Sequence, residues 1–267
     1  MNRVRGKWFF VLWFLVLGSW FLVLGSWLRL AGGDEAEVVI IGRGRWDADL
    51  RPPTSDLRLP TSGTRRLPKQ GGGAWWEGMA ILNDHIRGCV AAVESLTAHE
   101  RAFEAACDVM ASALGEGRKV LACGNGGSAA DSGHFTTELL CRFIKDRRSL
   151  PAISLAQDGG FLTATGNDYG FDQVFSRQVE GLGEPGDVLV AITTSGNSKN
   201  VLLALEAAKS RGLRTIALLG KDGGAARGMA EIEFIVPGPE TARIQEAHKV
   251  LIHAFCSGIE SRLFPGL

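Results

Sequence analysis

Five short apolar runs recur along the later part of the chain, and their spacing limits the fold more than any other feature. They are KVLACG (119–124), PAISLA (151–156), DVLVAIT (187–193), LRTIALLG (213–220) and EIEFIVP (231–237). Each has the length of a strand and too little polar alternation for a sheet with one wet face. Helix-like stretches lie between them, at about 129–145, 171–182, 198–211 and 222–229, and a long closing helix spans about 240–263. Strand and helix in alternation predict an α/β fold: a three-layer sandwich in which helices cover both faces of a five-stranded parallel sheet. Ligands of such sheets bind at the carboxyl ends of the strands.

Two helices precede the first strand. Residues 79–98 place Ile81, Ile86, Val90, Val93 and Leu96 at helical spacing, and 99–116 end at Gly117, a C-cap candidate. Upstream of Met79 the character changes. Residues 8–30 are almost wholly apolar and contain WFLVLGS twice in tandem, at 13–19 and 20–26. A second echo, PTSDLRL (53–59) and PTSGTRRL (60–67), lies in a Gly-, Arg- and Pro-rich stretch without a periodic apolar face. Such a stretch does not bury enough surface to offset its ordering entropy. Residues 1–78 therefore read as an apolar repeat plus disordered linker, and 79–267 as the folded domain. The upstream segment is either a membrane anchor, since about 20 apolar residues span a bilayer, or translated repetitive DNA before a start at Met79. The second reading is preferred, with a cytoplasmic location and contact with membrane only if 8–30 is expressed.

The 29 basic and 29 acidic residues cancel, which argues against wholesale binding to nucleic acid or anionic lipid. The five cysteines form no CxxC pair, so reduced buried thiols are expected. Neither GxxxxGK[ST] nor GxGxxG occurs, which disfavours a kinase or a dehydrogenase.

Chemistry concentrates in four places. CGNGGSAADSGH (123–134) joins a strand to a helix. Its glycines let backbone N–H groups approach an oxyanion at a helix N-terminus, with Ser128 as N-cap candidate. TTSGNSKN (193–200) supplies the hydroxyls of Thr193, Thr194, Ser195 and Ser198 around one glycine, a neutral phosphate cradle. His134 and Glu138, at i and i+4, share a helix face and suit metal ligation or a general base with its partner. RIQEAHKVLIH (243–253) carries Gln245, His248 and His253. Gln245 and His253 are about 12 Å apart along an ideal helix, and spacing alone does not choose between His248 and His253.

CGNGGS, HFTTEL, GNDYGF, TTSGNS, GKDGG and RIQEAHKVLIH, in this order and spacing, resemble the phosphoheptose isomerases of the SIS (sugar isomerase) superfamily, from about Met79 to the C-terminus. The resemblance implies conversion of D-sedoheptulose 7-phosphate to D-glycero-D-manno-heptose 7-phosphate for ADP-heptose and lipopolysaccharide core synthesis. It implies a homotetramer with active sites between subunits, and one Zn²⁺ per subunit on His134, Glu138, Gln245 and His253. Glu138 and His253 match the acid/base pair. Asn125, Gly126, Gly127, Glu138, Asn167, Asp168, Thr193, Thr194, Ser195, Ser198 and Gln245 match substrate-binding positions, and Ser128 is counted with them. Thr193 stands where many members have serine. Ala242 stands where some have aspartate, which puts one polar contact in doubt. A non-enzymatic branch of the superfamily, which binds the bacterial replication initiator, shares the loops, the RIQE stretch and a tail like Leu263-Phe264-Pro265. It lacks equivalents of Glu138 and His253, both present here. An isomerase of another sugar phosphate is the second alternative.

Overall fold

The computed structural model describes residues 9–16, 19–30, 33–40 and 74–267, with side chains from Ile81 onward. Contacts divide the chain into two units, 1–68 and 69–267. In the first, β1 (Phe9–Val16), β2 (Ser19–Leu30) and β3 (Gly33–Ile40) form an antiparallel meander. The two copies of WFLVLGS pair with each other, Phe14 opposite Phe21 and Trp13 opposite Leu22. The described residues of the apolar repeat thus lie on β1 and β2, as their Phe, Trp and Val content favours. No helix among the described residues is long and apolar enough to cross a membrane. The expected linker, including the PTS echo, falls mostly on residues 41–73, outside the described residues.

In the second unit, α1 runs from Ala74 to Glu94. A 3₁₀ turn (Ser95–His99) leads into α2 (Glu100–Gly115). Gly117, at φ +80°, ends α2 with paired bonds from Arg118 N–H to the Ala113 carbonyl and Gly117 N–H to the Leu114 carbonyl. The chain then passes through β4 (Val120–Gly124), α3 (Gly127–Leu140), β5 (Ala152–Ser154), α4 (Gly159–Asp168), α5 (Ser176–Leu182), β6 (Val188–Thr193), α6 (Lys199–Ser210), β7 (Arg214–Gly220), β8 (Ile232–Val236) and α7 (Thr241–Leu263).

The sheet is wholly parallel, in the order β5-β4-β6-β7-β8. Its central strands are buried on both faces. Val188, Val190 and Ile192 of β6 join one core cluster with residues of α2, α3 and α7, while Leu189 and Ala191 join the other with residues of α5 and α6. This period of two assigns alternate side chains to opposite layers. Each fully buried Val, Leu or Ile contributes about 1.5–3 kcal/mol. The order reverses between β4 and β6, so the loops that leave these two strands flank the crevice where doubly wound sheets bind ligands.

Three local expectations are corrected, and one helix was not foreseen. The helix read at 222–229 is only a 3₁₀ turn, Gly224–Ala226, because Gly223, Gly224 and Gly228 all take positive φ. The stretch 171–182 splits into a 3₁₀ turn (Phe171–Gln173) and α5. The helix expected to continue to 145 ends at Leu140, since the backbone N–H groups of residues 143–145 turn to the Glu260 carboxylate. α4 was not foreseen, although Asp158 caps it by accepting from Phe161 N–H at 3.0 Å. The apolar face of α1 packs only in part, with Ile81, Leu82, Ile86 and Val90 between 48% and 65% exposed.

Candidate active site

The loops after β4 and β6 enclose a cleft of about 310 Å³. Its walls are Asn125, Gly126, Gly127 and Ser128 on one side and Thr193, Thr194, Ser195 and Ser198 on the other, closed by Thr241 and Gln245. Every lining residue is neutral. The N-termini of α3, α6 and α7 meet there, so an anion would find backbone N–H groups and aligned dipoles in place of cations.

Thr193 Oγ1 lies 3.3 Å from Ser198 Oγ and 3.5 Å from Ser195 Oγ, and it accepts from Gly196 N–H at 3.2 Å. Gly196 has φ +66°, and a Cβ there would come within 1.9 Å of the Gly223 carbonyl oxygen. Asn197 ties this loop to the next by donating to the Ser195 carbonyl (2.9 Å) and accepting from Ala225 N–H (3.0 Å). Asn125 exchanges two 2.9 Å amide bonds with Asn200 on α6, which fixes the first loop against the second. Ser128 does not cap α3. The N-cap is Gly126, and Ser128 sits buried inside the first turn.

From the cleft, α3 and α7 run side by side in one direction. At the cleft end the Gln245 amide packs on Gly127, so closely that a Cβ on Gly127 would meet Nε2 at 2.3 Å. One turn further, Lys249 forms an ion pair with Asp131. At the far end His134 Nε2 and His253 Nε2 are 2.9 Å apart, and Glu138 Oε1 is 3.4 Å from His134 Nε2. The Phe143 ring lies over His253 with centroids 5.6 Å apart and planes 29° from parallel.

Burial pushes the His134 imidazole below its ordinary value, and the Lys249 ammonium adds to the effect. His134 is therefore neutral near pH 7 and keeps a lone pair to share. Two imidazoles and a carboxylate suit Zn²⁺ as a donor set. Among the described residues no three His, Cys, Asp or Glu side chains are already disposed as a metal site. Here the two Nε2 atoms lie within hydrogen-bond distance of each other, and both belong to the donor set such an ion would draw on.

The structure brings His134, Glu138 and His253 together within one chain. It puts Gln245 in the cleft wall, toward the other end of the seam. His248 is fully buried, its Nε2 3.0 Å from the Leu219 carbonyl, so of the two histidines only His253 reaches the site. Asn167 and Asp168 are exposed at the end of α4, hydrogen-bonded to each other at 2.8 Å, and do not line the cleft. Sequence reasoning missed Asn200, Asn197 and Thr241. Asn197 and Asn200 lie inside the TTSGNSKN motif, and Thr241 is the first residue of α7.

Residues 84–220 match a family model described as the SIS domain. The phosphoheptose isomerase of Citrifermentans bemidjiense is 55% identical over 163 residues, covering 61% of this chain and 85% of that protein. Among solved structures, the phosphoheptose isomerase GmhA from Neisseria gonorrhoeae is 44% identical with a TM-score of 0.65, covering 69% of this chain and 99% of its own. A phosphoheptose isomerase from Francisella tularensis is 41% identical with a TM-score of 0.66, covering 69% and 98%.

Proposed function

The chain belongs to the phosphoheptose isomerase family of SIS-domain proteins, and on that footing we infer that it is an aldose–ketose isomerase. It converts D-sedoheptulose 7-phosphate into D-glycero-D-manno-heptose 7-phosphate for heptose biosynthesis. The observation that carries this reading is the seam itself: a neutral anion cradle at one end and a carboxylate–imidazole cluster at the other, within one chain. Incubating the purified protein with sedoheptulose 7-phosphate and detecting the aldose tests it directly.

In this reading the hydroxyls of Thr193, Thr194, Ser195 and Ser198 and the N–H groups at the start of α3 hold the phosphate. The C1–C2 end of the ketose then lies toward Glu138 and His253. Isomerisation moves a proton between C1 and C2 through an enediol, which needs a base at carbon and an acid at oxygen. Glu138 takes the proton, and His253 serves the oxygens. Phe143 over His253 restricts the ring and keeps water from one of its faces. His134, Glu138 and His253 are the residues that would hold a Zn²⁺; the family resemblance adds Gln245, whose amide here packs on Gly127 in the cleft wall. When bound, that ion would polarise the sugar oxygens and offset the developing enediolate charge. Prolonged chelation is expected to abolish most turnover in a steady-state assay; full activity in metal-free protein would count against a catalytic metal.

Replacing Ser195 with Ala removes one neutral donor from the cradle, an effect of about 1 kcal/mol, or about fivefold in KM. kcat should change little, and an unaltered KM would argue against phosphate at this loop.

A homotetramer in the cytoplasm completes the proposal. Its support is α1, where Leu82, Ile86 and Val90 at i, i+4 and i+8 leave an apolar stripe open to solvent. Ile86→Asp is expected to yield smaller particles in sedimentation. An unchanged particle mass would remove α1 from the assembly surface.

A further inference from the structure

We propose that Lys249 is a specificity-determining residue of this site, its ammonium meeting hydroxyls in the middle of the sugar-phosphate chain. The inference rests on the isomerase reading above and deepens it. Gln245, Lys249 and His253 follow one another at i, i+4 and i+8, so they stand on one face of α7. That face looks on to α3, as three successive contacts show: Gln245 on Gly127, Lys249 with Asp131, and His253 with His134. An ideal helix separates Gln245 from His253 by about 12 Å, and Lys249 halves the interval. A substrate whose phosphate sits in the cradle and whose C1–C2 end reaches Glu138 and His253 must pass it.

The Asp131 side chain is only 7% exposed, and its one ion-pair partner among the described residues is Lys249. The Lys249 side chain is 37% exposed. A buried carboxylate thus holds a part-open ammonium by one of its three N–H donors and leaves two for a ligand. The cradle below is neutral, so this cation supplies charge-assisted donors where the sugar hydroxyls lie.

The experiment is steady-state kinetics of the full-length protein on sedoheptulose 7-phosphate, with thermal unfolding alongside. The variants are Lys249→Met, Lys249→Arg and the double variant Asp131→Asn/Lys249→Met. Lys249→Met should raise KM about tenfold or more while kcat stays within about threefold, and Lys249→Arg should recover much of the loss. The double variant no longer buries an unpaired carboxylate, so it should regain stability yet keep the raised KM. An unchanged KM in Lys249→Met, or a KM restored in the double variant, overturns the proposal; the second result would reduce Lys249 to neutralising Asp131. Wild-type activity separates the two readings. An inert wild type overturns the isomerase assignment together with this inference, whereas an active wild type and an unaffected Lys249→Met overturn the role of Lys249 alone.

Discussion

Glu138→Gln is expected to lower kcat by about 10³-fold while the protein keeps its fold, because a positioned general base contributes about 10²–10⁴-fold. The amide keeps the size of the carboxylate and loses the basic oxygen that stands 3.4 Å from His134 Nε2. The Glu138 side chain is 25% exposed, and its backbone carbonyl accepts from Arg147 at 2.9 Å whatever the side chain is. Unfolding by urea should therefore change little. The decisive measurement is single-turnover conversion of sedoheptulose 7-phosphate, and turnover within tenfold of wild type would exclude Glu138 as the base. Loss of activity together with loss of a bound metal would shift the emphasis from base to ligand. Metal content measured on the same sample distinguishes the two.

Replacing Glu260 with Ala should destabilise the protein by about 3–5 kcal/mol, as removing one partner of a buried ion pair does. Glu260 is 2% exposed and accepts from the backbone N–H groups of Phe143, Ile144 and Lys145 at 3.0–3.1 Å and from Arg147 Nε at 2.9 Å. The variant would leave a guanidinium of 0% side-chain exposure without its carboxylate. Against a typical net stability of about 5–15 kcal/mol, that is a large fraction. The loss should also reach the site, since the loop so held carries Phe143 over His253 and Arg147 caps the last carbonyls of α3. Equilibrium urea unfolding checks the first effect and kcat the second. A change below about 1 kcal/mol with wild-type kcat would show that the clamp is not needed.

The same carboxylate sets a pH dependence. Burial alone would raise its pKa, but three backbone N–H donors and Arg147 outweigh burial and hold it below the ordinary carboxylate range. A depressed native value means that the stabilisation is complete above the pKa of the unfolded chain and disappears as pH falls through the native value. Wild type should therefore lose stability on acidification below about pH 4.5, and Glu260→Gln should lose less over the same window.

The five apolar runs, the glycine- and hydroxyl-rich loops after the first and third of them, and the i,i+4 pair His134 and Glu138 were legible in the chain itself. Strand burial on both faces, a glycine with positive φ and a shared helix face are local consequences of residue type and period. Tertiary packing alone selected His253 over His248, because α7 turns one histidine to the Leu219 carbonyl and the other to α3. Packing also moved the N-cap of α3 from Ser128 to Gly126, stopped that helix at Leu140 beside a carboxylate 120 residues downstream, and left the α1 stripe open in the single chain. Each depends on which surface a distant segment presents, and a one-dimensional period holds no record of that. The alignment of Gly127 with Gln245, Asp131 with Lys249 and His134 with His253 is of this second kind. It is fixed by how two helices lie against each other, which the order of residues along either one does not specify.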